Sequence, residues 1–314
     1  MTRVAAIDCG TNSIRLLITD IDPVSGILTD LVRRMEIVRL GHGVDKTGVI
    51  AADAMARTLA QAREYATQCS ELGVERVRFV ATSASRDAHN AQQFVDGVRD
   101  AFAAFDVTPD VVTGHEEASL SFRGATGDLR AKGIPSPYLM VDLGGGSTEF
   151  VRGIDDVEQA RSVDVGCVRM TERHLRSDPP TGSQIVAAVM DVEAAIDQAA
   201  EVVDFRGIST LVGLAGSITT ITAHALRLTS YQPDKIHLSQ LPASQIIDAC
   251  TSLLLMTRAE RAALPFMHEG RVDVIGAGGL VWRTIIERLQ RDVGITSVVT
   301  SEHDILDGIA LSIA

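Results

Sequence analysis

Short, fully apolar runs bounded by Asp, Gly and Ser alternate along this chain with longer stretches in which apolar residues recur every three or four positions. The first pattern predicts buried strands and the second amphipathic helices. Residues 4–8 and 14–20 read as a hairpin, with a third strand around 31–40. Residues 53–72 carry Met55, Leu59, Ala62, Ala66 and Cys69 on one helical face, with Asp53 as a capping candidate and Gly73 as a stop. A strand at 77–81, a helix over 85–105, a strand at 111–113 and a helix over 116–130 complete the first half. Residues 131–137 (AKGIPSP) have the composition of a linker. The second half repeats the plan. A hairpin flanks Gly144-Gly145-Gly146, and a strand at 159–165 and a helix over 185–203 follow. Residues 211–217 read as a strand entering a helix through a Gly turn, and 272–279 as a second such unit before a helix over 281–289. A strand at 298–301 and a helix over 304–313 end the chain. Hairpins first, then strands alternating with helices, predict mixed α/β domains.

The two hairpins share a phrase. Ile7-Asp8-Cys9-Gly10-Thr11-Asn12-Ser13 returns as Val141-Asp142-Leu143-Gly144-Gly145-Gly146-Ser147, with Asp, Gly and Ser each displaced by 134 residues. An aspartate at a strand end followed by a Gly/Ser/Thr turn makes a hairpin tip whose amides and hydroxyls can converge on an anion. Two such tips predict two related domains that face a phosphate chain from either side. The spacing is neither that of the dinucleotide fold nor that of the P-loop.

Composition narrows the class of partner. The 314 residues carry a net charge of −12, which argues against generic nucleic-acid binding. Positive charge is nearly all arginine, since Lys46, Lys132 and Lys235 are the only lysines. Arginine's planar fork suits phosphate, and a GC-rich genome would produce the same bias. Cys9, Cys69, Cys167 and Cys250 have no metal-ligand spacing and read as reduced thiols of a cytoplasmic protein, with Cys167 a packing residue. No stretch has the length of a membrane span, and the N-terminus has no signal-peptide pattern. His115, His174 and His268 form no metal-ligand pattern.

Four Gly-rich turns (the two tips, 213–217 and 276–279) together resemble the actin/Hsp70/sugar-kinase architecture. The resemblance narrows at Thr113-Gly114-His115-Glu116-Glu117-Ala118, which is similar to the G-x-E-E-A motif of the exopolyphosphatase/guanosine pentaphosphate phosphohydrolase family. Residues 81–88 (ATSASRDA), 141–149 (VDLGGGSTE) and 166–169 (GCVR) resemble further motifs of that family, in order. The resemblance covers nearly the whole chain. It implies an α/β fold of two ribonuclease H-like domains with an interdomain phosphate-binding cleft. The expected domains are 1–132, joined by a C-terminal helix of about 302–314, and 133–301.

The resemblance also implies roles. Glu117 matches the catalytic base and Arg86 an arginine on substrate phosphate. Thr11, Asn12 and Ser13 match one phosphate loop; Gly144, Gly145, Gly146 and Ser147 match the other, and Gly216 and Ser217 are counted with the substrate-binding set. Asp142 and Glu149 match carboxylates near a divalent metal, Mg²⁺ or a related cation. Asp8 joins that set through water or serves only to fix its hairpin. Phosphoanhydride hydrolysis proceeds by positioning and charge stabilisation, which these residue types supply. Glu116 would raise the pKa of Glu117 and a helix N-terminus would lower it. Plain alternatives stand beside each role: an acidic first helical turn for Glu116 and Glu117, a tight turn for Gly144–Gly146 and a surface ion pair for Arg86. The expected activity is release of orthophosphate from inorganic polyphosphate by a cytoplasmic homodimer of short form, since longer relatives continue past this length. Removal of the 5′ γ-phosphate of guanosine pentaphosphate (pppGpp to ppGpp) is the nearest rival. A kinase and a non-catalytic (p)ppGpp or polyphosphate sensor are more distant ones.

Overall fold

A computed structural model describes residues 1–22 and 27–313. Two compact units emerge, Met1–Gly124 with Ile305–Ala314, and Ala125–Asp304. The division falls inside a helix, upstream of the linker-like 131–137 that composition singles out. Ala314 lies outside the described residues.

In the first unit β1 (Thr2–Cys9), β2 (Ser13–Ile21) and β3 (Leu28–Ile37) form an antiparallel meander. Then come α1 (Val44–Thr47), α2 (Ala52–Glu71), β4 (Arg76–Ala81), α3 (Ser83–Asp87), α4 (Ala91–Ala101), β5 (Asp110–Val111) and α5 (Gly114–Ala131). The sheet order is β3-β2-β1-β4-β5, with β4 and β5 parallel to β1. β1 is apolar at successive positions because both of its faces are covered. Ala5 and Ile7 pack in a cluster with Tyr65, Phe79, Phe94 and Phe102, while Val4 and Ala6 face Leu120, Leu306 and Ile309.

The second unit opens with β6 (Tyr138–Leu143), β7 (Thr148–Gly153) and β8 (Val157–Val163) as another meander. α6 (Cys167–Arg173), α7 (Gly182–Ala200), β9 (Thr210–Leu214), α8 (Ala215–Ala225), α9 (Pro233–Ile236), β10 (Ser239–Pro242), α10 (Ala243–Leu255), α11 (Arg258–Ala262), α12 (Ile275–Val293) and β11 (Ser297–Thr300) follow. Its sheet runs β8-β7-β6-β9-β11-β10. Meander, then strands parallel to the first on its far side (β4 and β5, then β9 and β11), is one topology used twice, with β10 added antiparallel at the edge of the second sheet, so the expected duplicated ribonuclease H-like α/β fold is observed.

α13 (Ile305–Ser312) completes the first unit on the face of β1 that carries Val4 and Ala6. Its Asp307 is held by Arg33. Gly308 is required there by contact: a Cβ would stand 1.9 Å from the carbonyl oxygen of Leu120 on α5. Backbone cannot yield as a side-chain tip does. Gly308→Ala is therefore expected to destabilise the protein by about 1–3 kcal/mol, read as a lower thermal midpoint.

Several expected elements differ. The helix expected over 85–105 is broken into α3 and α4, because the Asn90 side chain leaves the helical path to bond both the N–H and the C=O of Ile50 (2.9 and 3.0 Å). Asp53 sits in the first turn of α2, whose N-cap is Ala51. The third strand ends at Ile37, and residues beyond it turn back toward the first hairpin tip. Residues 272–279 form no strand and no strand-end turn, and Gly276, Gly278 and Gly279 lie within α12. There the missing side chains serve packing: a Cβ at Gly279 would come within 2.9 Å of the Cys250 carbonyl oxygen on α10.

Candidate active site

The first unit gathers Glu117, Arg86, Asp8 and the Thr11–Ser13 tip. Thr113 starts α5 by accepting the Glu116 amide at its Oγ1 (3.2 Å), which sets Glu117 on the first turn. The two adjacent glutamates then diverge. Glu116 is exposed and pairs with Arg78 (2.7 Å), whereas the Glu117 side chain is 12% exposed and accepts from Arg86 Nη1 at 2.7 Å. The same Nη1 donates to the Val112 carbonyl oxygen at 2.8 Å. Arg86 is therefore not a surface ion pair.

Burial pushes the Glu117 carboxyl up to about 7. Arg86 and the Thr82 hydroxyl act in the opposite direction and are outweighed, while the Asp8 charge adds to the rise. The like charge near Glu117 is thus Asp8, not its sequence neighbour Glu116. A carboxylate of this kind is half-ionised at neutral pH and has the proton affinity of a general base.

Asp8 is itself committed to Arg15, directly opposite on β2, which reaches its Oδ2 with Nε and Nη2 (2.9 and 2.7 Å). Thr11 Oγ1 is hydrogen-bonded to Ser83 Oγ (2.8 Å). At this tip the Gly10 amide donates to Ser13 O (2.9 Å), and the carbonyls of Thr11 and Asn12 are taken by amides of Gly41, Val38 and Arg39.

The second unit builds its tip in the same way. Gly144 N–H donates to Ser147 O (3.0 Å), the equivalent of the Gly10–Ser13 bond. Among the described residues, the amides of Gly145 and Gly146 donate to no protein acceptor. They are consecutive free donors of the kind that bind anions. Asp142 and Glu149 face each other across β6 and β7, both buried, and Ser162 Oγ donates to Glu149 Oε1 (2.7 Å). Glu149 stands where the first unit has Arg15, so a neighbouring carboxylate pair exists in one copy and an ion pair in the other. Two buried carboxylates facing each other across the strands are an oxygen-donor pair that fits Mg²⁺, which takes few protein oxygens and keeps water or substrate oxygens. Within its own unit, Asp8 is ion-paired with Arg15.

Gly216 and Ser217 lie in the first turn of α8. The guanidinium of Arg271 lies against Gly216 so closely that a Cβ would fall 1.7 Å from its Nη1. Cys167 interacts with Ser217, and its thiol is raised by burial, which suits packing rather than reactivity. Sequence reasoning assigned no role to Arg271, Thr82 or Arg169. Arg271 and Gly216 are far apart in the chain, so only the fold joins them. Arg169 lies inside the quoted GCVR segment, which was its one signal.

A group that sequence reading did not anticipate is Asp128, His237 and His303, the one set of three potential metal ligands within reach of one another among the described residues. Its donors are already used. The Glu302 amide donates to His237 Nδ1 (3.2 Å), which leaves the ring proton on Nε2, toward Asp128. His303 Nδ1 is hydrogen-bonded to the same carboxylate. Both contacts hold the Asp128 carboxyl well below the usual carboxylate range. This is a hydrogen-bonded trio.

A sequence model of the Ppx/GppA phosphatase family matches residues 17–313. The chain belongs to this family. The Ppx/GppA match agrees with the relatives: exopolyphosphatase 2 of Mycobacterium tuberculosis is 48% identical over 100% of this chain and 99% of its own length. A solved exopolyphosphatase-like protein superposes with a TM-score of 0.94 at 43% identity, covering 100% of this chain and 98% of that one. The Ppx/GppA enzyme of Aquifex aeolicus superposes at 0.80 with 29% identity and 99% coverage of both chains. The protein is a hydrolase of the exopolyphosphatase type. Among the described residues, no helix is long and apolar enough to cross a membrane.

Proposed function

We propose that the protein hydrolyses the terminal phosphoanhydride bond of inorganic polyphosphate, releasing orthophosphate, with water activated by Glu117. The observation that carries this reading is a buried glutamate raised to about 7 and oriented by an arginine. In this scheme the ionised Glu117 takes a proton from the attacking water. Arg86 keeps that carboxylate aligned and offers a cation to the phosphoryl oxygens. The Gly145 and Gly146 amides hold the terminal phosphoryl group. Mg²⁺ held by Asp142 and Glu149 would neutralise charge on the bridging and leaving oxygens. Four free, buried cysteines support a cytoplasmic setting.

Guanosine pentaphosphate is the second candidate substrate. The guanosine-5′-triphosphate,3′-diphosphate pyrophosphatase of Photobacterium profundum is 28% identical over 273 residues, but this chain spans only 50% of that protein. Short and long polyphosphate and guanosine pentaphosphate are to be compared by orthophosphate release, with and without Mg²⁺. The expected result is metal-dependent release from polyphosphate, reduced by at least about 10²-fold in Asp142→Asn. Release from the nucleotide alone moves the activity to the alarmone, and release from none rejects a hydrolase acting on these substrates.

A further inference from the structure

The amides of Gly145 and Gly146 can face an anion only if something holds the carbonyls of the same loop the other way. The segment Gly166–Arg169, which opens α6, does this completely. Cys167 N–H donates to Gly144 O (3.0 Å), and the amides of Val168 and Arg169 donate to Gly145 O (2.9 and 3.1 Å). Arg169 Nε donates to Gly146 O at 2.7 Å, and this side chain is buried. Every carbonyl of the triple glycine is thus consumed by one neighbouring segment. The approach is so close that a Cβ on Gly166 would meet Gly145 O at 2.5 Å.

The first unit repeats the device with different residues. After its third strand the chain returns, and Val38, Arg39 and Gly41 cap the carbonyls of Asn12 and Thr11 (3.0, 2.9 and 2.8 Å). Gly41 is its close-contact glycine: a Cβ there would meet Thr11 Cγ2 at 2.4 Å. A hairpin tip and its brace therefore recur as one functional part, although the sequence repeat is visible only in the tip.

We infer that Gly166–Arg169 is the brace that orients the phosphate-binding amides of the second unit, and that Arg169 is a positioning residue acting through Gly146. The inference rests on the phosphate-binding reading of that loop. Glycine-selective ¹⁵N labelling with inorganic phosphate as probe tests it without turnover. In the wild type, phosphate should shift the Gly145 and Gly146 amide resonances. Arg169→Met should displace both resonances before phosphate is added and weaken phosphate binding roughly tenfold, the scale of one hydrogen bond. Arg169→Lys, which keeps a donor able to reach Gly146 O, should restore part of the loss. With polyphosphate, kcat should fall more than KM rises, because misaligned amides fail chiefly in the transition state. If Arg169→Met does not fold, Gly166→Ala must displace the same loop and should give the same two signatures.

Wild-type resonances at Gly145 and Gly146 that ignore phosphate would sink the phosphate-loop reading itself. Phosphate affinity within twofold of wild type in both variants overturns the brace alone. Weakened binding with undisturbed Gly145 and Gly146 resonances also overturns it, since Arg169 would then touch the anion directly.

Discussion

Glu117→Gln should lower kcat by about 10²–10⁴-fold, the usual worth of a positioned general base, with KM changed little. The amide keeps the shape and can still meet Arg86 and Thr82, but it cannot take a proton from water. Wild-type kcat/KM should fall as pH drops through about 7, and the variant's residual rate should lose that limb. Stability supplies a second readout. The folded pKa lies above the ordinary 4.5, so the contribution of this group is fully present below 4.5 and lost as pH rises through about 7. The wild-type thermal midpoint should therefore decline over that interval by more than the variant's. Near-native turnover in Glu117→Gln would remove Glu117 from the mechanism.

Arg86→Ala should be nearly as damaging, for a different reason. It leaves Glu117 buried beside Asp8 with its neighbouring cation gone, so the two influences that raise its pKa act without their main opponent. The acid limb of the rate profile should move to higher pH. Turnover at pH 7 should fall by about 10²-fold or more, and phosphate affinity should weaken with it. Arg86→Lys should recover only part, because one ammonium is a poor match for a guanidinium that bonds Val112 O and Glu117 together. The comparison is best made as kcat/KM against pH for the three proteins. Unchanged kinetics in Arg86→Ala would reduce the Arg86–Glu117 contact to a structural ion pair.

These expectations depend on local facts that differ in how far they could be read in advance. β1 and β6 are legible as strands because four consecutive apolar residues are buried in each, on both faces of the sheet. The helix face of α2 is legible because its period matches 3.6 residues. In contrast, the four residues of Gly276–Gly279 look like a turn, yet they lie in α12, where a helix passes close to α10. Composition cannot separate a glycine that bends the chain from one that admits a neighbour. The break at Asn90 is equally hidden, since its cause is Ile50, forty residues away.

For the candidate site, the sequence by itself determined the inventory: two Asp-Gly-Ser tips, the Glu116-Glu117 pair, Arg86 and the carboxylates at 142 and 149. Repetition and residue chemistry suffice for that, because both are one-dimensional. Only tertiary structure decided which of these groups are chemically distinct. It buried Glu117 and turned Glu116 to Arg78. It also set Arg15 opposite Asp8 where Glu149 stands opposite Asp142, and brought Arg169 onto the glycine loop. Burial, strand register and donor–acceptor geometry are properties of neighbours in space, and it is they that separate an ordinary carboxylate from a base near neutrality.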